Sequence, residues 1–227
     1  MKDPLFKLLL NLKPQDKILD VGCLNYSLFH KCKNESVQHF GIDYVAPQEP
    51  LPSGYTFQKV DLNKESLPHE NDFFDLIVAS HVIEHLQNPI DFFGDCLRIL
   101  KPGGKLYLSA PSEKSLKLSG MPFAWDQFFS LSFYDDPTHQ YRPWPPGSLY
   151  RLAKYYSATP LEAGYITSWK ARLAFPFLYP YARLFKKGKL LEKLVWDTYG
   201  WTSCAVIEKP QDKSGAMSFT YYIPGRK

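Results

Sequence analysis

The chain has 227 residues, of which 44% are apolar and 22% charged, and its formal net charge is +4. This apolar content supports a sizeable core, which excludes a largely disordered chain. No apolar run approaches the roughly 18 residues that a membrane-spanning helix needs. The N-terminal stretch has charges on both sides of a short apolar run and no small-residue cleavage site. We therefore expect no secretory signal and a cytoplasmic location.

Charged and aromatic residues are divided unevenly between the two halves of the chain. Residues 1–113 hold 11 basic and 15 acidic side chains, whereas residues 114–227 hold 16 and 8. All five tryptophans, and 24 of the 36 aromatic residues, lie after residue 120. The composition therefore predicts two parts with different chemistry in a chain that is short enough for one domain.

The first half alternates short β-rich runs with helix-length stretches, which is typical of a parallel sheet covered by helices. Its clearest strand is 74–80, because a continuous apolar run indicates a strand buried on both faces. Residues 89–100 have apolar side chains at helical spacing and are followed by the stop signal Lys-Pro-Gly-Gly at 101–104. Further strands are predicted at 17–21, 37–43, 55–61 and 105–110, with helix-compatible sequence over 22–32.

The second half has weaker periodicity. Residues 120–147 are rich in proline and aromatic residues without a sustained period, which predicts a long ordered loop with at most one helical turn. In the predicted helix 148–158, Leu149, Leu152 and Tyr156 share one face. Strands are predicted at 165–173 and 203–208, separated by a helical insertion at 179–199, and 216–223 is a candidate edge strand or partner-binding tail.

Acidic residues stand at the ends of three predicted strands in succession. Asp20 and Gly22 close the first strand, Asp43 the second and Asp61 the third. In an open parallel sheet the carboxyl ends of the strands form the ligand crevice, and a carboxylate about 20 residues after a glycine turn suits a ribose diol. The alternative for Asp20 or Asp61 is that each caps the following helix or turn.

Five segments of the first half form an ordered set: ILDVGC (18–23), GIDY (41–44), VDLNKESLP (60–68), FDLIVASHVIEHLQNP (74–89) and LRILKPGGKLYLSAPS (97–112). Over roughly residues 15–115 their order and spacing resemble those of the class I S-adenosylmethionine-dependent methyltransferases, and more narrowly of their type 11 small-molecule group. The resemblance implies a Rossmann-like α/β fold with a mostly parallel seven-stranded sheet, helices on both faces and an aromatic-rich cap. It also implies one domain, in which 1–115 bind the cofactor and 116–227 form an acceptor-side cap, an insertion helix and closing strands.

The resemblance implies a role for individual strand-end residues in binding S-adenosylmethionine. It puts Asp20, Gly22 and the neighbouring Cys23 at the methionine part of the cofactor. Asp43, with Tyr44 beside it, would bind the ribose hydroxyls. The residues implied at the adenine and at the methyl-transfer cleft are Asp61, Leu62, Ser80 and His81.

The glycine loop departs from the family pattern. The family has D-x-G-x-G-x-G, whereas this chain keeps only Gly22 and has Leu24 and Tyr26 at the two later glycine positions. Glycine permits positive φ and close approach of the backbone to a ligand. Leu24 and Tyr26 must therefore adopt a different turn or enter the pocket, with Asn25 as a residue that tolerates left-handed geometry. A non-catalytic methyltransferase-like binding protein is the alternative that this departure leaves open.

The run His81-Val-Ile-Glu84-His85 matches the H-x-x-E-H pattern of a group of zinc metalloproteases. That chemistry requires both histidines on one helix, whereas His81 directly follows a buried strand and is predicted in a turn. Local hydrogen bonds that fix this turn are the simpler interpretation of Glu84 and His85. The four cysteines are far apart without a C-x-x-C pair. We therefore predict no metal site.

The loop DDPTHQYRP (135–143) resembles the D-P-x-H segment that overhangs the acceptor site in many type 11 relatives. Methyl transfer to a hydroxyl benefits from a general base, and the pKa of histidine suits that role. His139 is the first candidate for the base and His81 the second. For His139 a structural role in holding the loop is an equal alternative. Tyr141 and Arg142 are candidates for binding an acidic or sugar-like acceptor, or for packing alone.

The segment 175–199 combines aromatic residues with five lysines and arginines, Arg183, Lys186, Lys187, Lys189 and Lys193. Such a segment suits an anionic membrane surface or a lipid-linked substrate. The alternative is a lid helix with its aromatic residues in the core and its lysines in water. A nucleic-acid substrate is not expected, because the modest charge gives no phosphate-tracking surface.

These observations predict methyl transfer from S-adenosylmethionine to a small molecule. The expected acceptor is an oxygen on a sugar, a lipid-linked glycan or a related metabolite, anionic or membrane-associated, with peripheral membrane contact. The sequence leaves the acceptor, the oligomeric state and the effect of Leu24 and Tyr26 on cofactor binding undecided.

Overall fold

A computed structural model describes residues 1–24, 26–32, 34, 36–118, 130–140 and 142–211. Its strands are β1 (Lys17–Val21), β2 (Gln38–Asp43), β3 (Tyr55–Lys59), β4 (Phe74–Ser80), β5 (Leu100–Pro111), β6 (Thr159–Tyr165) and β7 (Thr202–Glu208). Its α-helices are α1 (Leu5–Leu10), α2 (Ser27–Lys31), α3 (Pro89–Ile99), α4 (Pro146–Tyr155), α5 (Trp169–Leu184) and α6 (Gly188–Tyr199). Short 3-10 helices cover Ile83–His85, Glu113–Lys117 and Phe133–Asp135.

The seven strands form one sheet in the order β3-β2-β1-β4-β5-β7-β6. β1 to β5 pair in parallel, and β7 is inserted antiparallel between β5 and β6. The order reverses direction between β1 and β4, which is the switch point where open α/β sheets bind ligands. The predicted seven-stranded, mostly parallel sheet is confirmed.

The central strands are buried on both faces, as the continuous apolar runs predict. Successive side chains of a strand point to opposite faces. Leu19 and Ile77 accordingly lie in the larger core cluster, with residues of α3 and α4. Ile18 and Val78 lie in a second cluster on the other face, with residues of α1.

The predicted strand at 165–173 is wrong. β6 ends at Tyr165, and residues from Trp169 onward are helical. β6 is the edge strand of the sheet and is mostly exposed or half-buried. Because β6 is exposed, it lacks the apolar run that predicted the inner strands. Its pairing with β7 is what makes it a strand.

The helical insertion is longer than predicted and is divided in two. α5 begins at Trp169 and α6 at Gly188, with a break at 185–187. Pro176 and Pro180 lie inside α5, where each removes a backbone donor. Within the described ranges, no helix combines the length and the apolar character that crossing a bilayer requires.

β5 begins earlier than predicted, at Leu100. Its pairing with β4 shifts register between Phe74 and Leu76, so that the predicted turn at 101–104 is an irregularity within the strand. α2 is shorter than predicted, β3 ends before Asp61, and α4 begins two residues before the predicted helix. The candidate strand at 216–223 lies outside the described residues.

Candidate active site

The carboxyl ends of β1, β2 and β4 lie side by side, because these strands are neighbours in register. Val21 pairs with Ile42 on one side and with Ala79 on the other. Backbone hydrogen bonds continue past the strand ends: Gly22 N donates to Ile42 O at 2.9 Å and His81 N donates to Ser109 O at 2.9 Å. The sheet itself therefore fixes where the functional loops begin.

Asp20 is a buried carboxylate, with 8% of its surface exposed. Burial raises its pKa to about 7, Lys31 opposes the shift and the nearby Asp43 adds to it. A carboxylate in such a place is stabilised by a cationic ligand. The structure thus gives the first strand-end acid an electrostatic character that suits a positively charged group.

Gly22 occupies a position that only glycine fits. Its φ is +78°, and a Cβ at this residue would lie 2.9 Å from Cγ2 of Val82. Both the left-handed conformation and the contact with the turn after β4 therefore require a glycine.

Tyr26, at the position of a family glycine, adopts a left-handed φ of 49°. It is buried, its ring packs edge-on against Tyr55 with centroids 5.0 Å apart, and its hydroxyl donates to Glu49 O at 3.3 Å. Gly41 makes room for this arrangement, because a Cβ there would collide with the Tyr55 hydroxyl. The Tyr26 ring thus lies in a cluster with Cys23 and three aromatic residues, Phe29, Tyr55 and Phe57.

The remaining members of the glycine loop differ in their surroundings. The Leu24 side chain is exposed, and Asn25 lies outside the described residues. Cys23 is buried, and burial raises the pKa of its thiol to about 11. The Cys23 thiol is therefore neutral at ordinary pH.

Asp43 and Tyr44 lie at the open edge of the sheet. Asp43 is half-buried, and its Oδ1 accepts a hydrogen bond from Val45 N at 3.1 Å. Tyr44 is exposed. The predicted ribose-binding carboxylate is thus oriented by its own turn and keeps its second oxygen available within the described part of the chain.

Asp61 has both carboxylate oxygens in local contacts. Oδ1 accepts from Asn63 N at 3.1 Å, and Oδ2 forms an ion pair with Lys64 at 2.8 Å. The Lys64 ammonium and the Asn63 amide lower the pKa of Asp61. This is the turn-stabilising role that the sequence left open as an alternative. Leu62 packs against the core and lines a cavity of about 380 Å³.

His81 stands directly after β4, next to Ser80, in a left-handed conformation with φ 56°. Its Nδ1 lies 3.2 Å from Oε1 of Glu84, whose side chain is completely buried. Its ring faces two tryptophans, Trp196 and Trp201, with centroid distances of 5.8 Å to each. His81 is therefore held from one side by a carboxylate and from the other by an aromatic wall.

His139 is placed as a loop-holding residue. Its side chain is 6% exposed, its Nδ1 donates to Phe133 O at 2.6 Å, and its ring stacks on Phe133 at 4.3 Å. Asp136 Oδ2 lies 3.9 Å from its Nε2. This geometry corresponds to the structural alternative for His139.

His85 joins the same loop to the turn after β4. Its ring lies 4.9 Å from that of His139, and its Nδ1 lies 2.9 Å from the hydroxyl of Thr138. Glu84, His85 and His139 bring possible ligand atoms within 4.8 Å of one another, so these three residues could hold a metal ion. His81 and His85 do not share an α-helix, because only a 3-10 turn follows β4. The absence of a metal stays a prediction.

The tryptophan wall was missed by the sequence interpretation. Trp196 and Trp201 stack at 4.0 Å with an angle of 3° between their planes. Their indole nitrogens donate to Ser130 O and Leu131 O at 2.8 and 2.7 Å. No local pattern indicates this pair, because it joins α6 to the strand ends and to a loop about 70 residues away in sequence. Of the two predicted acceptor contacts, Arg142 lies over the ring of Trp144, and Tyr141 lies outside the described residues.

Comparison with known proteins agrees with this arrangement. A family model described as a methyltransferase domain matches residues 1–163, well over half of the chain. The chain belongs to the class I S-adenosylmethionine-dependent methyltransferases. The predicted family is thereby confirmed.

Among curated relatives, this methyltransferase is 32% identical over 110 residues to the mitochondrial ubiquinone biosynthesis O-methyltransferase of Rattus norvegicus. The match covers 44% of this chain and 32% of the rat protein. It is 29% identical over 164 residues to the ubiquinone biosynthesis O-methyltransferase of Dechloromonas aromatica, covering 64% and 66%. The chain thus spans about a third of the length of the rat relative it matches.

Among solved structures, the methyltransferase resembles a SAM-dependent methyltransferase from Archaeoglobus fulgidus with a TM-score of 0.62 and 19% identity. The alignment covers 90% of this chain and 91% of the other. At this identity the likeness shows the fold, which agrees with the strand order described above.

The cofactor of the family is S-adenosylmethionine. This molecule carries a sulfonium and an ammonium charge, and the buried carboxylate of Asp20 beside Asp43 is an environment that a cation stabilises. Gly22 keeps the adjoining backbone free of a side chain. The residues present therefore fit the cofactor, and Asp20, Gly22 and Asp43 are those that would hold it.

Proposed function

We propose that this methyltransferase transfers the methyl group of S-adenosylmethionine to a hydroxyl of a small, lipid-linked or anionic metabolite, with His81 as the general base. The observation that carries the proposal is the pairing of His81 with the buried Glu84 at the end of β4. The O-methyltransferase names of the relatives support the choice of an oxygen acceptor.

The protonation of His81 follows from its partner. A carboxylate oxygen accepts hydrogen bonds, so the Nδ1 that faces Glu84 Oε1 carries the proton. In a neutral imidazole the other nitrogen, Nε2, then has the lone pair. A buried carboxylate that orients a histidine in this way also stabilises the imidazolium that forms when Nε2 takes a proton.

The same reasoning gives His139 a different role. Its Nδ1 donates to a backbone carbonyl and its side chain is nearly buried, whereas the His81 side chain is 33% exposed. A base must reach the acceptor hydroxyl. We therefore assign the base to His81, the second candidate from the sequence, and the positioning of the loop to His139.

The transfer itself is an in-line displacement. The bound cofactor supplies an electrophilic methyl group. His81 Nε2 would receive the proton that the acceptor hydroxyl loses when its oxygen takes the methyl group. Of the stacked tryptophans beside His81, Trp201 is buried and Trp196 is half-buried, so the Trp196 ring is the apolar surface that would meet a ring-bearing acceptor.

The test is turnover with a panel of phenols, sugar alcohols and amines, each with and without an alkyl chain. Release of S-adenosylhomocysteine is measured together with mass analysis of the product. We expect methylated oxygen and a preference for acceptors with the alkyl chain. Turnover of amines alone would contradict the oxygen assignment, and cofactor binding without any product would favour the non-catalytic alternative.

Histidine variants separate the two candidate bases. We expect His81→Gln to lower kcat by about 100-fold or more, with partial recovery at alkaline pH where the acceptor ionises on its own. Glu84→Gln should lower kcat less and keep the same pH trend. His139→Gln is the matched control, and a larger loss of kcat in this variant than in His81→Gln would reverse the assignment.

A further inference from the structure

In the part of the chain that the structure describes, no element covers the apolar stripe on the outer face of α5. Five residues at spacings of three and four, Trp169, Leu173, Phe177, Tyr181 and Leu184, are 45% to 76% exposed. On a helix these spacings place side chains along one side. Isolated exposed apolar residues are ordinary, but a continuous stripe over four turns indicates an interaction surface.

The inner face of the same helix is already occupied. Phe175, Tyr179 and Ala182 pack against Leu191 and Val195 of α6. α5 is therefore apolar on two sides, and among the described residues only the inner side packs against another helix. The alternative prediction placed the aromatic residues of this segment in the core. That placement is correct for Phe175 and Tyr179 on the inner face and wrong for Phe177 and Tyr181 on the outer face.

The charge around the stripe has one sign. Residues 163–191 contain six lysines and arginines and no acidic residue. Of these, Lys186 and Lys187, in the break between α5 and α6, form no ion pair with any residue in the described ranges.

The two acids of α6 do not neutralise this surface. Glu192 accepts from Ser130 N at 2.7 Å and pairs with Lys189. Asp197 pairs with Lys193. The acids of α6 are thus occupied by partners of their own, and within the described ranges Lys186 and Lys187 keep their positive charge beside the stripe unpaired.

We propose that the outer face of α5 docks on the surface of an anionic lipid bilayer. Apolar side chains bordered by basic ones match the boundary between acyl chains and anionic headgroups. α5 then lies in the plane of the membrane, since it does not meet the requirements for crossing one.

The docking surface adjoins the candidate acceptor side. α5 packs on α6, and α6 carries Trp196, whose ring faces His81. A docked α5 would place that side of the molecule near lipid-linked acceptors. This consequence rests on the proposed function, whereas the docking itself does not.

The experiment is co-sedimentation of the full chain with phosphatidylcholine vesicles, with and without phosphatidylglycerol, at low and physiological ionic strength. We expect binding to the vesicles that contain phosphatidylglycerol, weakened by salt, and little binding to phosphatidylcholine alone. Equal binding to both, or binding to neither, would overturn the proposal whatever the methyl-transfer assay gives.

Two double variants test the surface itself. Leu173→Glu/Phe177→Glu removes the apolar stripe, and Lys186→Glu/Lys187→Glu reverses the charge. Each should weaken vesicle binding by about tenfold or more. The control is Lys7→Glu/Leu10→Glu, which combines one charge reversal and one apolar-to-glutamate change on the exposed face of α1. This variant should bind vesicles as the wild type does.

Self-association is the competing occupant of the stripe. Sedimentation velocity of wild type and of Leu173→Glu/Phe177→Glu distinguishes it from docking. If the wild type is a dimer, the variant is a monomer and neither binds vesicles, then the partner of the stripe is a second copy of the chain and not a lipid surface.

Discussion

The buried carboxyl of Asp20 makes the stability of the fold depend on pH. Its carboxyl has a pKa of about 7 in the folded protein against 3.8 in the unfolded chain. The unfolded chain therefore loses its proton first, and ionisation inside the fold is costly. The free energy of unfolding therefore falls progressively as pH rises from about 4 to about 7.

We expect the cofactor-free protein to lose up to about 4 kcal/mol of unfolding free energy over this pH range through Asp20, since one pKa unit corresponds to about 1.4 kcal/mol. Asp20→Asn mimics the protonated form, so its stability advantage over wild type should be about 4 kcal/mol at pH 8 and only about 1 kcal/mol at pH 4.5. Urea denaturation at both pH values measures the difference. An advantage of the variant that does not change with pH would argue against the raised pKa.

The same ionisation should appear in cofactor binding. The charged carboxylate is the form that attracts a cation, so affinity for S-adenosylmethionine should rise as pH increases through about 7. Calorimetric titration at pH 6 and pH 8 checks this. Asp20→Asn should bind more weakly than wild type and show a much smaller pH dependence.

At the scale of elements, Tyr26 shows how α2 is attached to the sheet without the usual glycines. A left-handed conformation costs a residue with a side chain about 1 kcal/mol or more, and the buried aromatic ring offsets that cost. The ring contact with Tyr55 joins α2 to β3, and the hydroxyl bond to Glu49 fixes the loop after β2.

We therefore expect Tyr26→Gly, which restores the family residue, to destabilise the protein by about 2 kcal/mol. Loss of a buried aromatic side chain costs about 3 kcal/mol or more, and relief of backbone strain returns about 1. Urea denaturation gives the value. Leu24→Gly is the control, with a smaller effect because Leu24 is exposed. A more stable Tyr26→Gly protein would show that strain outweighs packing.

At the scale of the molecule, the two halves are joined by hydrogen bonds between residues distant in sequence. Ser112 N donates to Trp201 O at 2.7 Å, and Ser112 Oγ donates to Gly200 O at 2.8 Å. Ser203 Oγ donates to Ala110 O at 3.2 Å, and Trp144 N donates to Pro111 O at 2.8 Å. These contacts connect the cap to β5 and β7, so we expect both halves to unfold as one unit.

We predict that Trp201→Ala lowers the thermal midpoint of the entire protein, because a buried ring and the bond to Leu131 are lost together. Far-ultraviolet and near-ultraviolet circular dichroism should report coincident transitions before and after the change. Trp169→Ala, at an exposed position, is the control and should leave the midpoint nearly unchanged. Separate transitions for secondary and tertiary structure would indicate two independent units.

The sequence by itself determined the elements whose signal is local. β1, β4 and α3 were predicted within a residue, because apolar periodicity and the Pro-Gly punctuation depend only on near neighbours. The seven-stranded sheet and the class of cofactor were implied instead by the resemblance of five segments to a known family. β6 and the start of α5 were missed, since an exposed edge strand carries no apolar run.

Only the tertiary structure decided which groups act together. His81, Glu84 and the tryptophan pair meet across more than 110 residues of sequence. The exposure of the outer face of α5 depends on which side α6 already covers. The pKa of Asp20 depends on burial by the folded chain. A sequence pattern predicts which residues share one face of a helix or strand, but burial and electrostatic environment exist only after distant segments have packed.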